Sequence, residues 1–289
     1  MLASCQLMRT FEELVAEAQA APAEGWDFSW LAGRATEERP PWGYSRLVAA
    51  RMATVATALD LDTGGGEVLA GLACWPLHLV ATESWPPNAA RAAGLLRPRG
   101  GWVIATGEDD PALPFRHGVF DLVVSRHPVD TWWEEIARVL RPGGTFLAQE
   151  IGQDSNAELH EAIAGPLPPG EKRSARRSRK LAEEAGLMVV DLREASLRVE
   201  FYDIGAVIYF LRKVIWTIPG FSVARYRAEL AALHERIQAE GSFVSHAQRF
   251  LIEARKPGPW SEPARPSADL SPGAPRIQPH SPPGAEPSR

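Results

Sequence analysis

Three consecutive glycines directly follow a short apolar segment that carries acidic side chains. Gly64, Gly65 and Gly66 come after ALDLDT, the segment that contains Asp60 and Asp62. Glycine has no Cβ, so such a run lets the backbone approach a ligand or a packed helix closely. If the segment is a parallel strand, the loop lies where ligands bind and where a helix N-terminus offers free N–H groups. The loop is therefore a candidate cofactor site, with helix packing or a flexible link as alternatives.

A nicotinamide dinucleotide is not predicted at this loop. The dinucleotide fingerprint G-x-G-x-x-G/A, read from Gly64 and Gly66, requires a small residue at position 69. That position holds Leu69, so the residue needed for close packing of helix on strand is missing.

Strands that alternate with helices are predicted around the glycine loop. Short apolar segments predict strands over 59–62, 78–83, 102–107, 120–127 and 145–152. Between the last two strands, Trp132, Ile136 and Leu140 share one helical face, and Pro142 with the two glycines after it is expected to end that helix. This alternation predicts βαβ units, a largely parallel sheet and right-handed crossovers.

The order of these motifs resembles the class I S-adenosylmethionine-dependent methyltransferases. That family places an acidic residue before its glycine loop, as Asp60 stands before Gly64 and Gly66. Glu83 ends the second strand, GEDDPALPF (107–115) follows the third, and RVLRPGGTF (138–146) resembles the family's helix-turn-strand signature. Together the motifs cover about residues 55–152.

The resemblance implies a fold of class α/β: a doubly wound, Rossmann-like, seven-stranded and mostly parallel sheet. Residues 1–44 would form an N-terminal helical cap, and 45–256 the methyltransferase domain, whose last antiparallel strand lies at 246–255. Residues 203–240 would form a helical lid inserted near the C-terminus. The proline-rich residues 257–289 hold almost no large apolar side chains, so a disordered tail is expected there.

The resemblance also implies S-adenosylmethionine as the cofactor. Gly64 and Gly66 would make room for its methionine moiety, while Asp60 either orients the cofactor or anchors the loop. Glu83 would accept hydrogen bonds from both ribose hydroxyls. The adenine amino group would be recognised by Asp109, or by its neighbour Asp110 if the loop shifts by one residue. The backbone of Ser125 would flank the cofactor.

Asp62 departs from the family pattern, which usually has glycine at that position. A carboxylate there would favour the cofactor's sulfonium and oppose its carboxylate. In the expected cap, Arg34 is predicted to pair with the cofactor carboxylate, and an aromatic side chain such as Tyr44 to cover the sulfonium. Packing of an irregular cap is the alternative for both residues.

His127 ends the fourth strand, where the resemblance implies that the methyl acceptor lies. Histidine titrates near neutrality, so it is the candidate general base that removes a proton from a hydroxyl or amine. The alternative is a polar residue at the rim of the site, because many methyltransferases need only proximity and in-line orientation.

Two segments bear on the methyl acceptor. The apolar block 204–221 predicts a lid over a small apolar or aromatic molecule, with core packing as the alternative. KRSARRSRK (172–180) would suit a phosphate-rich substrate such as RNA, although a solvated basic helix is the commoner explanation.

Composition limits the remaining classes. The net charge of −5 does not favour nucleic acid, and two cysteines without CxxC spacing predict neither a disulfide framework nor a zinc site. No signal peptide or membrane span is recognised, so a cytoplasmic protein is expected. The function predicted is methyl transfer from S-adenosylmethionine to a small organic molecule. RNA or protein methylation and non-catalytic binding of the cofactor remain alternatives, and no oligomeric state is predicted.

Overall fold

The structure is a computed structural model that describes residues 9–23, 25, 27–107, 112–167 and 173–258. The disordered tail was predicted over 257–289, and from residue 259 onward it lies outside the described residues. The helices are α1 Phe11–Ala20, α2 Tyr44–Met52, α3 Glu67–Ala70, α4 Pro86–Leu96, α5 Trp133–Val139, α6 Ala157–Ala164, α7 Ala175–Glu184, α8 Ile204–Lys213 and α9 Arg227–Glu240. The strands are β1 Ala35–Glu37, β2 Thr57–Leu61, β3 His78–Glu83, β4 Trp102–Ala105, β5 Phe120–Arg126, β6 Leu140–Ile151, β7 Met188–Phe201 and β8 Phe243–Arg255. Within these ranges no helix is long and apolar enough to cross a bilayer.

All eight strands form one sheet, in the order β1-β7-β8-β6-β5-β2-β3-β4. Five neighbouring strands run parallel to one another: β6, β5, β2, β3 and the edge strand β4. Strand β8 is antiparallel to both β6 and β7. The Rossmann-like architecture is thus as expected, with one more strand than the seven predicted. The additional strand is β1, a three-residue segment of the cap that pairs antiparallel with the end of β7.

Strand order reverses beside β2, which lies between β3 and β5. Leu61 at the end of β2 is level with Ser125 of β5, and Asp60 is level with Ala81 of β3. Ligands of open α/β sheets bind outside the carboxyl ends of the strands at such a reversal. The topology therefore directs attention to the loops that follow β2, β3 and β5.

Helices cover both faces of the parallel part of the sheet. One face buries apolar side chains of α2, α3 and α4, among them Val48, Met52, Leu69 and Leu96. The other face buries side chains of α5 and α7, among them Trp133, Ile136 and Ala182. This arrangement gives the doubly wound fold two cores, one on either side of the sheet.

A third core surrounds the projecting ends of the antiparallel strands β7 and β8. Ile151, the last residue of β6, is level with Arg249, but β7 and β8 continue to the pair Phe201 and Phe243. This pair of strands thus extends roughly 20 Å beyond β6 on the carboxyl side. Helices α1, α6, α8 and α9 pack around it, and α8 and α9 belong to the segment that connects the two strands. We refer to α1, residues 29–37, α6 and residues 196–248 as the hairpin lobe.

The apolar side chains of α8 are buried inside the hairpin lobe. Ile204, Val207, Ile208 and Leu211 are nearly inaccessible and pack with α1 and α9. The structure therefore gives these side chains the core-packing role that was the alternative to a lid. The helix also ends at Lys213, well before the end of the apolar block, and Ile215 beyond it is 65% exposed.

Candidate active site at the carboxyl edge of the sheet

Asp60 is a buried carboxyl group on the strand that leads into the glycine loop. Only 6% of the residue is exposed. Burial raises its pKa to about 7, and the neighbouring charges of Asp62 and Glu83 act in the same direction. The ionised form of Asp60 is destabilised by these surroundings. A positively charged ligand beside it would stabilise that form.

Asp62 starts the loop in a left-handed backbone conformation, with φ +53°. Glycine adopts this conformation without strain, which accounts physically for a glycine preference at such a position. The residue is exposed to solvent. Protein atoms around the carboxyl group nevertheless desolvate it, and with the charges of Glu83 and Asp130 they raise its pKa to about 6.

Glu83 ties the glycine loop to the end of β3. One carboxylate oxygen accepts a hydrogen bond from the Gly64 backbone N–H at 2.7 Å, and the other accepts from the Trp85 N–H at 2.9 Å. The pKa of Glu83 is nevertheless raised, because burial outweighs the hydrogen bonds from the Trp85, Gly64 and Ser84 N–H groups and from the Asn88 side chain. Glu83 is therefore a buried carboxyl group at the edge of the sheet where ligands of such folds bind.

The glycines of the loop serve two different purposes. Gly64 has φ +63°, and its N–H is the group that Glu83 holds. Gly66 has φ +83°, and a Cβ there would stand 3.1 Å from the Ala92 Cα atom of α4. Gly66 therefore permits close packing of the loop on a helix, which was one of the alternatives raised by its sequence.

The residues of this loop fit S-adenosylmethionine in their chemistry. The charges of Asp62 and Glu83 raise the pKa of Asp60, the charge of Glu83 also raises that of Asp62, and a cationic sulfonium would relieve this repulsion. The buried hydroxyl of Thr63 lies near enough to Asp60 to lower its pKa, yet it makes no well-formed hydrogen bond within the described residues. Such an unsatisfied group is available to a polar ligand.

Tyr44 connects the N-terminal cap to the site. Its hydroxyl donates to the Ser125 backbone oxygen at 2.8 Å, and the Ser125 hydroxyl donates to the Leu61 backbone oxygen at 3.1 Å. Burial raises the pKa of Tyr44, as does the charge of Asp60, so the phenol stays protonated. The structure thus brings Tyr44 and Ser125 together beside Asp60.

A hydrogen-bond chain that the sequence did not reveal joins the cap to His127. The Trp42 indole N–H donates to Oε1 of Gln149 at 2.8 Å, and Nε2 of Gln149 is 2.9 Å from Nε2 of His127. Both Trp42 and Gln149 are buried. The available signal was Gln149 itself, a polar residue inside the predicted apolar strand TFLAQEIG.

His127 does not have the environment of a general base. Burial lowers its pKa to about 3, and the positive charges of Arg249 and Arg126 lower it further. Its Nε2 is already occupied by the Gln149 amide. The prediction that His127 removes a proton is corrected on these grounds, although its place at the end of β5 is as expected.

Arg34 also requires a correction. It forms two hydrogen bonds of 2.8 Å with Asp203, lies 3.1 Å from Glu17 and covers the ring of Trp30. These partners belong to the hairpin lobe, and β1, which follows Arg34, is the sheet edge remote from β2. Arg34 therefore pairs with acidic side chains of the hairpin lobe rather than with a cofactor carboxylate.

The adenine-binding prediction concerns residues outside the described part of the chain. Asp109 and Asp110 lie in 108–111, which the structure does not describe. Their assignment to the adenine amino group stays a prediction.

Comparisons with known proteins find methyltransferases similar to this part of the chain. Residues 59–148, from β2 to β6, match the family described as "Methyltransferase domain". A 23S rRNA (guanine(748)-N(1))-methyltransferase of Streptomyces fradiae is 30% identical over 151 residues, which are 51% of each chain. The chain thus spans about half the length of this curated relative.

Two solved structures share the fold. A candidate methyltransferase from Bacillus halodurans has a TM-score of 0.51 at 19% identity, with 74% of this chain and 97% of that chain covered. The YcgJ protein from Bacillus subtilis has a TM-score of 0.53 at 15% identity, with 74% and 98% covered. Residues 59–148 are thus similar to a methyltransferase domain, and the structure shares the Rossmann-like fold of these two proteins.

Proposed function

We propose that this protein transfers a methyl group from S-adenosylmethionine to an acceptor bound beyond the end of β5. The observation that carries the proposal is the carboxyl cluster of Asp60, Asp62 and Glu83 around a glycine loop at the reversal of strand order. When bound, the cofactor supplies an activated methyl group on a positively charged sulfur. The acceptor needs only a lone pair held in line with that methyl group.

The chain's own residues would bind and orient the two reactants. Glu83, which holds the Gly64 N–H, would accept hydrogen bonds from the ribose hydroxyls. Asp60 and Asp62 favour the positive charge of the cofactor over a neutral ligand. Tyr44 would border the site on the side of the N-terminal cap, because its hydroxyl donates a hydrogen bond to the Ser125 backbone beside Asp60.

A small apolar or aromatic acceptor is the substrate class we propose first. Two apolar side chains follow His127 on the surface: Val129 is 72% exposed and Trp132 is 41% exposed. An exposed tryptophan beside a candidate active site offers a flat surface for an aromatic ring. This support replaces the predicted lid, since the side chains of α8 are buried in the hairpin lobe.

RNA is the second candidate, because two observations favour it. The relative named above acts on 23S rRNA. In this chain, Arg173 donates to the Val129 backbone oxygen at 3.2 Å, so the basic helix α7 begins next to the loop after β5. Its exposed side chains include Arg177, Arg179 and Lys180. Positive charge next to the acceptor site would suit a phosphate backbone.

Labelled cofactor separates these candidates. The full chain is incubated with methyl-labelled S-adenosylmethionine and, separately, with pooled small metabolites, total RNA or total protein. Label in the metabolite pool supports the first substrate class, whereas label that is lost after ribonuclease treatment supports the second. Cofactor binding without label in any pool would instead favour the non-catalytic alternative.

Glu83 provides the test of the cofactor site. We expect Glu83→Ala to weaken binding of S-adenosylmethionine by about 1–3 kcal/mol, measured by calorimetry, because charge-assisted hydrogen bonds are lost. Glu83→Gln keeps the size of the side chain and should lose less. Glu183→Ala, at an exposed position of α7, is the matched control and should leave the affinity unchanged. An unaltered dissociation constant for both Glu83 variants would remove Glu83 from the site.

A further inference from the structure

The orientation of the Gln149 amide is determined by its neighbour in the cap. The Trp42 indole N–H is a donor only, so the atom of Gln149 that faces it, at 2.8 Å, has to be the oxygen. The amide nitrogen of Gln149 then faces His127 and has to donate. The reversed amide would set two N–H donors against each other at Trp42.

The same reasoning determines where His127 carries its proton. Because the Gln149 amide donates to Nε2 over 2.9 Å, Nε2 must present a lone pair, and the ring proton of the neutral imidazole is on Nδ1. Within the described residues Nδ1 forms no hydrogen bond, and it is not a buried unsatisfied atom. The ring therefore offers one donor, the Nδ1–H group, to a ligand.

The backbone also holds His127 in an unusual position. His127 has φ +59°, a conformation that costs energy for an L residue, and its N–H donates to the Gln149 backbone oxygen at 2.7 Å. Gln149 thus contacts both the backbone and the ring of His127. A strained residue that two hydrogen bonds hold in one orientation, at the strand end of a cofactor fold, is typical of a ligand contact.

We propose that Trp42 and Gln149 are positioning residues that hold His127 as a neutral imidazole whose Nδ1–H donates a hydrogen bond to the methyl acceptor. This inference rests on the proposed function and narrows its substrate class. The acceptor molecule carries a lone-pair group, such as a carbonyl or ring nitrogen, beside the atom that is methylated. The proton that the methylated atom loses goes to solvent rather than to His127.

The tautomer of His127 is measurable without any methyl acceptor. Two-bond ¹⁵N–¹H spectra of the labelled full chain, with His127→Asn to assign the signals, should show the Nδ1–H form from pH 5 to pH 8. Gln149→Glu removes the donor to Nε2 and should move the proton to Nε2 or add a second one. Trp42→Phe should give a mixture of tautomers, because the amide is then free to turn.

Two matched controls address general effects of these substitutions. Gln238 lies 2.9 Å from Nε2 of His234 in α9, so Gln238→Glu changes a similar amide–histidine pair outside the site. Trp75→Phe removes an indole donor that bonds to the Leu69 backbone oxygen. Both variants should leave the His127 signals unchanged. An Nε2–H form or an imidazolium in the unaltered protein at pH 7 would overturn the inference, and an unchanged spectrum in Trp42→Phe would exclude Trp42 from it.

A pair of substitutions at His127 tests the donor in catalysis. The Asn side chain places an N–H donor near the position of Nδ1 and tolerates a positive φ, whereas Ala offers no donor. With the pool that accepts label, His127→Asn should keep transfer within about 5-fold and His127→Ala should lose about 10- to 100-fold. Equal loss in both variants would overturn the donor role. Calorimetry of cofactor binding, which tests the proposed function, does not depend on either result.

Discussion

Asp62 lowers the stability of the native state in two ways, through its left-handed backbone and through its charge. An L side chain at φ +53° is strained in a way that glycine is not. The carboxyl group also stands beside Glu83 and Asp130, whose charges disfavour its ionised form. The first cost is present at every pH, whereas the second grows as the pH rises from the unfolded pKa near 4 to the native pKa of about 6.

Replacing Asp62 with glycine should therefore stabilise the protein. We expect Asp62→Gly to raise the free energy of unfolding by about 0.5–1 kcal/mol at pH 4, where the difference in ionisation between the native and unfolded states is small. The gain should be larger at pH 8. Because the native pKa of about 6 lies above the unfolded value, the native state loses stability as the pH rises from about 4 to 6.

Urea denaturation at the two pH values measures both costs. Asp62→Asn keeps the side chain but removes its charge, so it should gain stability at pH 8 and little at pH 4. If Asp62→Gly lowers the stability at pH 4, backbone strain at this position is not the explanation.

The sequence could indicate candidate site residues that lie near the ends of strands. It could not indicate residues whose role depends on a distant partner. Asp60, Glu83 and Ser125 lie at strand ends and could be read from local pattern. Trp42 and Gln149 are 107 residues apart, and nothing local in the sequence relates them. The surroundings of His127 were not predictable for the same reason, since Gln149 contacts both its backbone and its ring.

Among the elements, strands with a local apolar pattern could be predicted. A short edge strand that exists only because it pairs with a neighbour could not. Strand β3 lies over residues 78–83, as predicted. Strand β1 has the sequence ATE and no apolar alternation, so it is a strand only because β7 extends far enough to pair with it. The apolar block after β7 resembled a lid, because its sequence could not show that α1 would cover it.

Arg34 joins three elements of the hairpin lobe. It contacts Glu17 of α1 and Asp203, precedes β1, and is mostly buried, with 13% of its side chain exposed. Asp203 also caps α8, since its Oδ1 accepts from the Ala206 N–H at 2.9 Å. Removing the arginine would leave a partly buried carboxylate without its partner, which is more costly than the pair itself is favourable.

Arg34→Ala should destabilise the protein without affecting the cofactor. We expect a loss of about 2–4 kcal/mol in the free energy of unfolding. Arg34→Lys should lose part of that, because an ammonium cannot reproduce the two parallel hydrogen bonds. Binding of S-adenosylmethionine, measured by calorimetry below the unfolding transition, should stay the same for both variants.

The matched control for Arg34 is an exposed ion pair of the same sheet. Arg198 pairs with Glu200 on β7, and Arg198→Ala should change the stability by less than about 1 kcal/mol. A large loss of cofactor affinity in Arg34→Ala would restore the predicted contact between Arg34 and the cofactor carboxylate.

At the scale of the whole molecule, several buried carboxyl groups of the described residues form no ion pair. Besides Asp60 and Glu83, Glu150 on β6 is 8% exposed, and its pKa is raised to about 7 by burial. Thr131 and Ser178 donate to its two oxygens at 3.2 and 3.3 Å, and these neutral donors do not offset the burial. The doubly wound fold was predictable from motif order, but burial of a charge depends on which helix covers it.

These groups make the stability of the molecule fall as the pH rises. Asp60 and Glu150 bind protons in the native state up to pH 7, whereas the unfolded chain releases them near pH 4, so ionisation favours unfolding between those values. His127 has the opposite effect, because its lowered pKa costs stability below about pH 6.5. The acids outnumber it. We expect the free energy of unfolding to fall by about 2 kcal/mol from pH 5 to pH 8.

Thermal denaturation across this pH range measures the effect, with Glu150→Gln and Asp60→Asn as the variants that should flatten the profile. Glu150→Gln reports burial alone, because Glu150 lies outside the carboxyl cluster of the glycine loop. Since a sulfonium would favour ionised Asp60, S-adenosylmethionine should raise the midpoint more at pH 8 than at pH 5. S-adenosylhomocysteine has a neutral sulfur and should show a smaller difference. A profile that rises towards pH 8 without ligand would mean that these carboxyl groups are ionised and well compensated in the folded protein.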